Sequence, residues 1–282
     1  MNRRAAALAA AVLLVATAGC SRTSGGADDG RLRVVASFAR LAELAATIGG
    51  DRVTVTDLTP PGAEPHDLEV SSDDIDAIDD ADVMFFFGGG FQPGLEEASH
   101  RAGRAVDLLP ADNRKDPHIW LDPQRYAVAA STVERTLVAA DATGAPGYRR
   151  RGAAVREEVG ALDREMKAGL ADCQRREIVT AHAAFAYLAG RYGLVQEAIT
   201  GISPEAEPDP ARLARLVDLV HDKGVTTVFT ERLVSPRVAE ALAREAGVAV
   251  AVLDPLEGRL AHGYAEAMRQ NLATLRAALG CT

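Results

Sequence analysis

Tyr148 to Leu170 reads YRRRGAAVREEVGALDREMKAGL, with the apolar residues Val155, Val159, Leu162 and Met166 recurring at three- and four-residue steps. That period belongs to a helix with one buried stripe, and no proline interrupts it. The run predicts one long helix, a spine between two halves of the chain. On both sides of it, short β-rich runs alternate with longer amphipathic ones, the pattern of α/β architecture.

Toward the N-terminus, Arg33 to Ala36 is a strand, Leu41 to Ile48 a helix closed by Gly49-Gly50, and Val53 to Thr56 the next strand. Ser72 to Ala81 reads as an acidic helix with Ile75 and Ile78 inward. Val83 to Phe87, ending in Gly88-Gly89-Gly90, suits a strand buried on both faces. Asp122-Pro123 supplies an N-cap and a first-turn proline for a helix through Leu137. Toward the C-terminus the alternation restarts, with strands at Glu177 to Thr180, Val225 to Thr230 and Val248 to Leu253. Helices are expected at Ala183 to Tyr192, from Asp209-Pro210 to Lys223, from Ser235-Pro236 to Gly247, and at Gly263 to Leu279. The chain therefore divides into an N-terminal α/β lobe at 32–145, a linking helix at 146–173 and a C-terminal α/β lobe at 174–282.

The 282 residues are 48% hydrophobic and 25% charged, a balance that excludes disordered and disulfide-dense classes. Net charge is −9, and no Lys/Arg stripe is clustered as a phosphate backbone needs, which argues against nucleic acid as a partner. Asn2-Arg3-Arg4 followed by the apolar run Ala5 to Ala18 reads as an export signal over residues 1–19. As a helix that run spans only about 21 Å, short of a bilayer's roughly 30 Å core. Ala18-Gly19-Cys20 is similar to a bacterial lipobox, with Thr17 where Leu is usual, and makes Cys20 the candidate lipid anchor. Residues 20–31, rich in Ser, Gly and Asp, form a flexible tether. Outside the cytoplasm disulfides are permitted. One bridge between Cys173 and Cys281 is the economical expectation, two separate buried thiols the alternative.

Of the six histidines, three stand where chain direction matters. His66 lies in the stiff loop Thr59-Pro60-Pro61-Gly62-Ala63-Glu64-Pro65-His66-Asp67, and His118 in Asp116-Pro117-His118-Ile119-Trp120-Leu121-Asp122-Pro123. His182 follows the strand ending at Thr180, and Asp254 follows the strand ending at Leu253. Ligands of open α/β sheets gather outside the carboxyl ends of the strands. Three imidazoles and a carboxylate meeting there would form a tetrahedral set suited to Zn2+. Spacing alone does not bring them together, and no helical HExxH motif is present. His100 and His221 read as solvated, and His262 as a supporting residue at most.

Through the His66 and His118 segments, Thr180-Ala181-His182-Ala183-Ala184-Phe185 and Val252-Leu253-Asp254-Pro255-Leu256, the chain resembles the metal-binding lipoproteins of ABC importers, the zinc branch above all. The resemblance implies two Rossmann-like lobes joined by a long rigid helix, with the metal in the inter-lobe cleft. It implies His66, His118, His182 and Asp254 as ligands of a transported Zn2+, with Glu231 supporting them or the lobe. The implied protein is a monomeric receptor and no enzyme. It would be anchored outside the cytoplasm, at the cell surface or in the periplasm, touching the membrane only through its lipid. It would hand zinc to an ABC permease and its ATPase. Gly88 to Lys115 lacks the long His-rich loop of many relatives, which leaves open delivery by a zinc chaperone. Manganese or iron in the same role, a zinc hydrolase using Asp254 or Glu231 as base, and a surface adhesin are the competing readings.

Overall fold

The computed structural model describes residues 30–111 and 115–282. The expected leader, the Cys20 anchor and most of the tether lie outside the described residues. The first half runs β1 (Leu32–Ala36), α1 (Ala39–Gly49), β2 (Val53–Asp57), α2 (Ser72–Asp79), β3 (Val83–Phe86), α3 (Pro93–Ala98) and β4 (Ala105–Asp107). Two helices follow, α4 (Pro123–Ala140) and α5 (Ala145–Gly169). The second half runs β5 (Glu177–Thr180), α6 (Ala186–Tyr192), β6 (Val195–Ala198), α7 (Pro210–Lys223), β7 (Thr227–Thr230), α8 (Arg237–Ala246), β8 (Ala249–Val252) and α9 (Tyr264–Leu279).

Each half builds a four-stranded parallel sheet with the same order, β2-β1-β3-β4 and β6-β5-β7-β8. Leu32 pairs with Val53 and Val34 with Val83 in the first sheet, and Glu177 pairs with Val195 in the second. In the inner strand β3 all four residues are buried, as two covered faces require. Neighbouring residues there face opposite sides. Val34 and Val83 enter the main core, and Val35 and Met84 a smaller cluster with Ile78 and Leu95.

Local signals start the helices. Ser71 and Asp74 form a reciprocal capping box on α2, and Asp122 and Asp209 accept backbone N–H groups from Gln124 and Ala211 at α4 and α7. The spine α5 buries Val155, Val159, Leu162 and Met166, each worth about 1.5–3 kcal/mol on burial. The main core runs without a break from Val34 and Phe85 through this stripe to Phe229, Leu253 and Met268 of the second lobe. Polar clamps reinforce it. Arg151 donates to the Ile48 and Gly49 carbonyls of α1, and Arg191 donates twice to Asp163 at 2.6 Å.

Three elements have no counterpart among the sequence expectations: α3 and the outer strands β4 and β6. β4 has three residues, and β6 carries Gln196 and Glu197, so neither shows the apolar run that marks the inner strands. The sixth helix starts at Ala186, three residues later than its pattern suggests. Residues 181–183 are instead held in a loop, where Ala183 N–H donates to Gly201 and the Ala181 carbonyl accepts from Thr200.

Cys173 and Cys281 are disulfide-bonded, closing a segment of 108 residues. Around the bridge Arg175 N–H donates to Leu279 and Thr282 N–H to Asp172, so the end of α9 is stapled beside the end of α5. Constraining so long a loop removes about 5 kcal/mol of unfolded-state entropy. A Cys173→Ser, Cys281→Ser double variant is expected to melt roughly 10 °C lower in calorimetry. An unchanged midpoint would count against a structural role for the bridge.

Candidate metal centre

Four side chains from four separate loops meet between the lobes: His66, His118, His182 and Glu257. His66 sits on a single 3-10 turn, Pro65–Asp67, after β2. There its N–H donates to Glu64 Oε2 at 2.8 Å and its ring stands edge-on to Phe91. His118 precedes the turn Ile119–Leu121. Asp116 Oδ1 accepts from both its N–H, at 3.0 Å, and its Nδ1, at 2.8 Å. His182 lies in the loop after β5, where its carbonyl accepts from Thr180 Oγ1 and from Gln196. Glu231, directly after β7, accepts from the His182 N–H at 3.1 Å and from its Nδ1 at 2.6 Å.

With Nδ1 donating to carboxylates, His118 and His182 turn Nε2 toward a common point, an arrangement that fixes tautomer and ring together. His118 Nε2 lies 3.3 Å from His66 Nε2 and 3.3 Å from His182 Nε2. Glu257 Oε1 lies 3.6, 3.3 and 3.5 Å from the same three nitrogens in chain order. A tetrahedron around zinc, with donors at roughly 2.0–2.1 Å, has edges of roughly 3.3–3.4 Å. These five separations are close to those of a closed four-donor shell. The four side chains are 6, 0, 0 and 1% exposed, and Glu257 Oε1 has no hydrogen-bond partner.

Burial works against charge on His118 and His182. At His118 it is outweighed by the hydrogen bond to Asp116 and the nearby Glu257 carboxylate, and Glu231 with Glu257 holds His182 up to about 10. Burial lowers His66, with Glu257 opposing only in part. Burial would raise Glu257, yet the three imidazoles hold it well below the usual carboxylate range. Glu64, buried and close to the Glu257 charge, is pushed up to about 8 and stays protonated at neutral pH.

The structure thus gathers His66, His118 and His182 and sets Glu231 against His182. It does not bring Asp254 into the cluster, and this corrects the expected fourth position. Asp254 Oδ2 is taken by Arg232 at 2.8 Å, and its Oδ1 accepts the Leu256 N–H at 2.8 Å. That turn, with Leu256 at φ 61°, swings the chain so that Glu257, three residues past Asp254, points inward. A second carboxylate in the same loop was the available signal. His100, His221 and His262 are exposed and lie outside the cluster. Trp120 joins the lobes beside the site, its Nε1 donating to the Pro255 carbonyl at 2.7 Å while its own carbonyl accepts from Tyr264 Oη at 2.7 Å.

Two parallel-sheet lobes around a shared spine, with a buried three-histidine, one-carboxylate cluster between them, define the class of two-lobed solute-binding proteins. Residues 34–278 match the model of the zinc-uptake complex component A, periplasmic (ZnuA), and the chain belongs to that family. It is 32% identical to the zinc-binding protein AdcA of Streptococcus pyogenes, over 88% of this chain and 56% of that protein, so it spans little more than half that relative's length. It is 31% identical to the high-affinity zinc uptake system protein ZnuA of Bacillus subtilis, over 96% of each. Among solved structures, the Zn(II)-bound ZnuA-like domain of Streptococcus pneumoniae AdcA aligns with a TM-score of 0.76 and 32% identity, covering 89% of this chain and 99% of that one. The laminin-binding protein Lmb of Streptococcus agalactiae, described as bifunctional with adhesin and metal transporting activity, aligns at 0.82 with 31% identity, covering 87% and 98%.

The cluster separates the two carboxylates experimentally. Glu257→Gln is expected to weaken zinc binding more than about 100-fold in a chelator competition, and Asp254→Asn by about tenfold at most. Equal losses would return Asp254 to the shell. Because zinc takes neutral imidazole, binding at pH 7 must expel the proton that His182 holds up to about pH 10. Calorimetry in buffers of different ionisation heat should report about one to two protons released per zinc, with affinity falling as pH falls. Proton-neutral binding would contradict this.

Proposed function

We propose that this chain is the extracytoplasmic zinc receptor of an ABC-type importer, capturing Zn2+ with His66, His118, His182 and Glu257. It delivers the ion to a membrane permease driven by a cytoplasmic ATPase. The observation that carries the reading is the gathering of three Nε2 atoms and one buried carboxylate oxygen within 4.8 Å of one another, with five of the six separations close to tetrahedral edge lengths. Four protein donors complete that shell and leave no position for a reacting water, which supports a binding role over hydrolysis. Three imidazoles suit zinc better than manganese, which prefers oxygen donors. Among the described residues no helix is long and apolar enough to cross a membrane. The export signal and a lipid on Cys20 would hold the receptor, as a monomer, at the outer face of the membrane.

Metal analysis of the purified chain tests the reading. One zinc per chain is expected, resistant to excess manganese and lost in His182→Ala, whereas zinc binding indifferent to His182 would overturn it. The continuous core predicts that zinc loading leaves the overall shape nearly unchanged. Superimposable solution-scattering profiles of apo and loaded protein are expected, and a marked compaction would show a hinge instead.

A further inference from the structure

The loop after β8 changes allegiance past Asp254, first at the Pro255 carbonyl, which accepts from Trp120 of the first lobe. Up to Asp254 its partners belong to its own lobe, Arg232 and the Asn271 side chain. From Gly258 onward its polar contacts reach the first lobe. Buried Arg40 of α1, ion-paired with Glu43, donates from Nη2 to the Gly258 carbonyl at 3.3 Å. Arg259 Nε lies 3.6 Å from Asp57 Oδ2, and Tyr264 N–H donates to Glu43 Oε1 at 3.0 Å. A cavity of about 130 Å3 borders this segment, lined by Gly258, Arg259 and Leu260 together with Asp254, Glu257 and Gly62. Leu256, in the left-handed region, stores strain where the segment departs from the strand.

We propose that Gly258 to His262 is a strap that carries Glu257 on and off the ion, with Arg40 and Asp57 as the positioning residues that hold it shut. The inference rests on the reading of this chain as a zinc receptor. The geometry points to Glu257 as the movable member of the shell: the loops of His118 and His182 are each locked by a carboxylate that takes both an N–H and an Nδ1, His66 is held by its N–H to Glu64 and by the edge of Phe91, and Glu257 Oε1 has no hydrogen-bond partner. When the Arg259–Asp57 pair opens, the strap lifts from α1, the carboxylate withdraws toward the cavity it borders, and the ion is left on three imidazoles. The Arg259 side chain is 61% exposed, so this pair is the weakly held and accessible end of the strap.

The test uses the full chain loaded with one equivalent of zinc and chased with excess chelator. Arg259→Ala is expected to release zinc about tenfold faster, and Arg259→Lys, which keeps the pair, at nearly the original rate. Arg40→Lys should also accelerate release; since Arg40 is buried, the exposed Arg259 variants keep the test decisive if that protein fails to fold. In a Glu257→Gln background Arg259→Ala should add nothing, because the strap then has no ligand to withdraw. Equal acceleration in both backgrounds, or none in the single variant, would overturn the strap while leaving the receptor standing. A chain that holds no zinc would overturn the receptor reading and the strap with it.

Discussion

Three imidazole nitrogens and a carboxylate oxygen gathered within 4.8 Å of one another, five of their six separations 3.3–3.6 Å, set the terms for the rest of this molecule. Lone pairs at that spacing repel unless a proton or a metal stands between them, and an uncompensated buried charge is costly. The surroundings are arranged accordingly. Asp116 and Glu231 each take two N–H groups from the histidine they orient, and Glu64 is kept neutral by burial and by the Glu257 charge, so that it adds no further negative charge beside Glu257. The charge on the shell is then set by what occupies it, proton or metal, and exchange of one for the other is the chemistry of the site.

Such a shell holds its spacing only if the loops that carry it do not drift. The loops come from both lobes, and the fold answers with a core that crosses between them. Trp120 packs among Phe38, Phe87 and Phe91 in the first lobe while its indole N–H holds the Pro255 carbonyl of the second. Tyr264 stacks on Tyr126 and holds the Trp120 carbonyl from the other side. With α5 clamped to α1 by Arg151 and to α6 by Arg191, the lobes behave as walls, and the freedom that uptake and release require is confined to loops.

The inner strands and the spine were legible because their apolar periods are long and unbroken. The histidines were legible by position, since an imidazole directly past a strand end faces the crevice by chain direction alone. Glu257 was not. Asp254-Pro255 follows the strand at once and looks like the natural donor, whereas Glu257 reaches the cluster only through a left-handed Leu256, a conformation no local pattern announces. The late start of α6 has a similar cause. The hydrogen bonds that keep residues 181–183 out of the helix come from Thr200 and Gly201, well outside any local window.

The donors stand at positions 66, 118, 182 and 257 of 282, one pair in each half of the chain. A polypeptide threaded through a membrane N-terminus first would present two imidazoles early and the carboxylate almost last. Two donors on an unpaired lobe make a poor site, so a half-emerged chain has little hold on metal. In a chain exported unfolded, assembly of the shell would be tied to completion of transit, and the ion that enters it would be drawn from the far side of the membrane rather than carried out of the cytoplasm with the nascent chain.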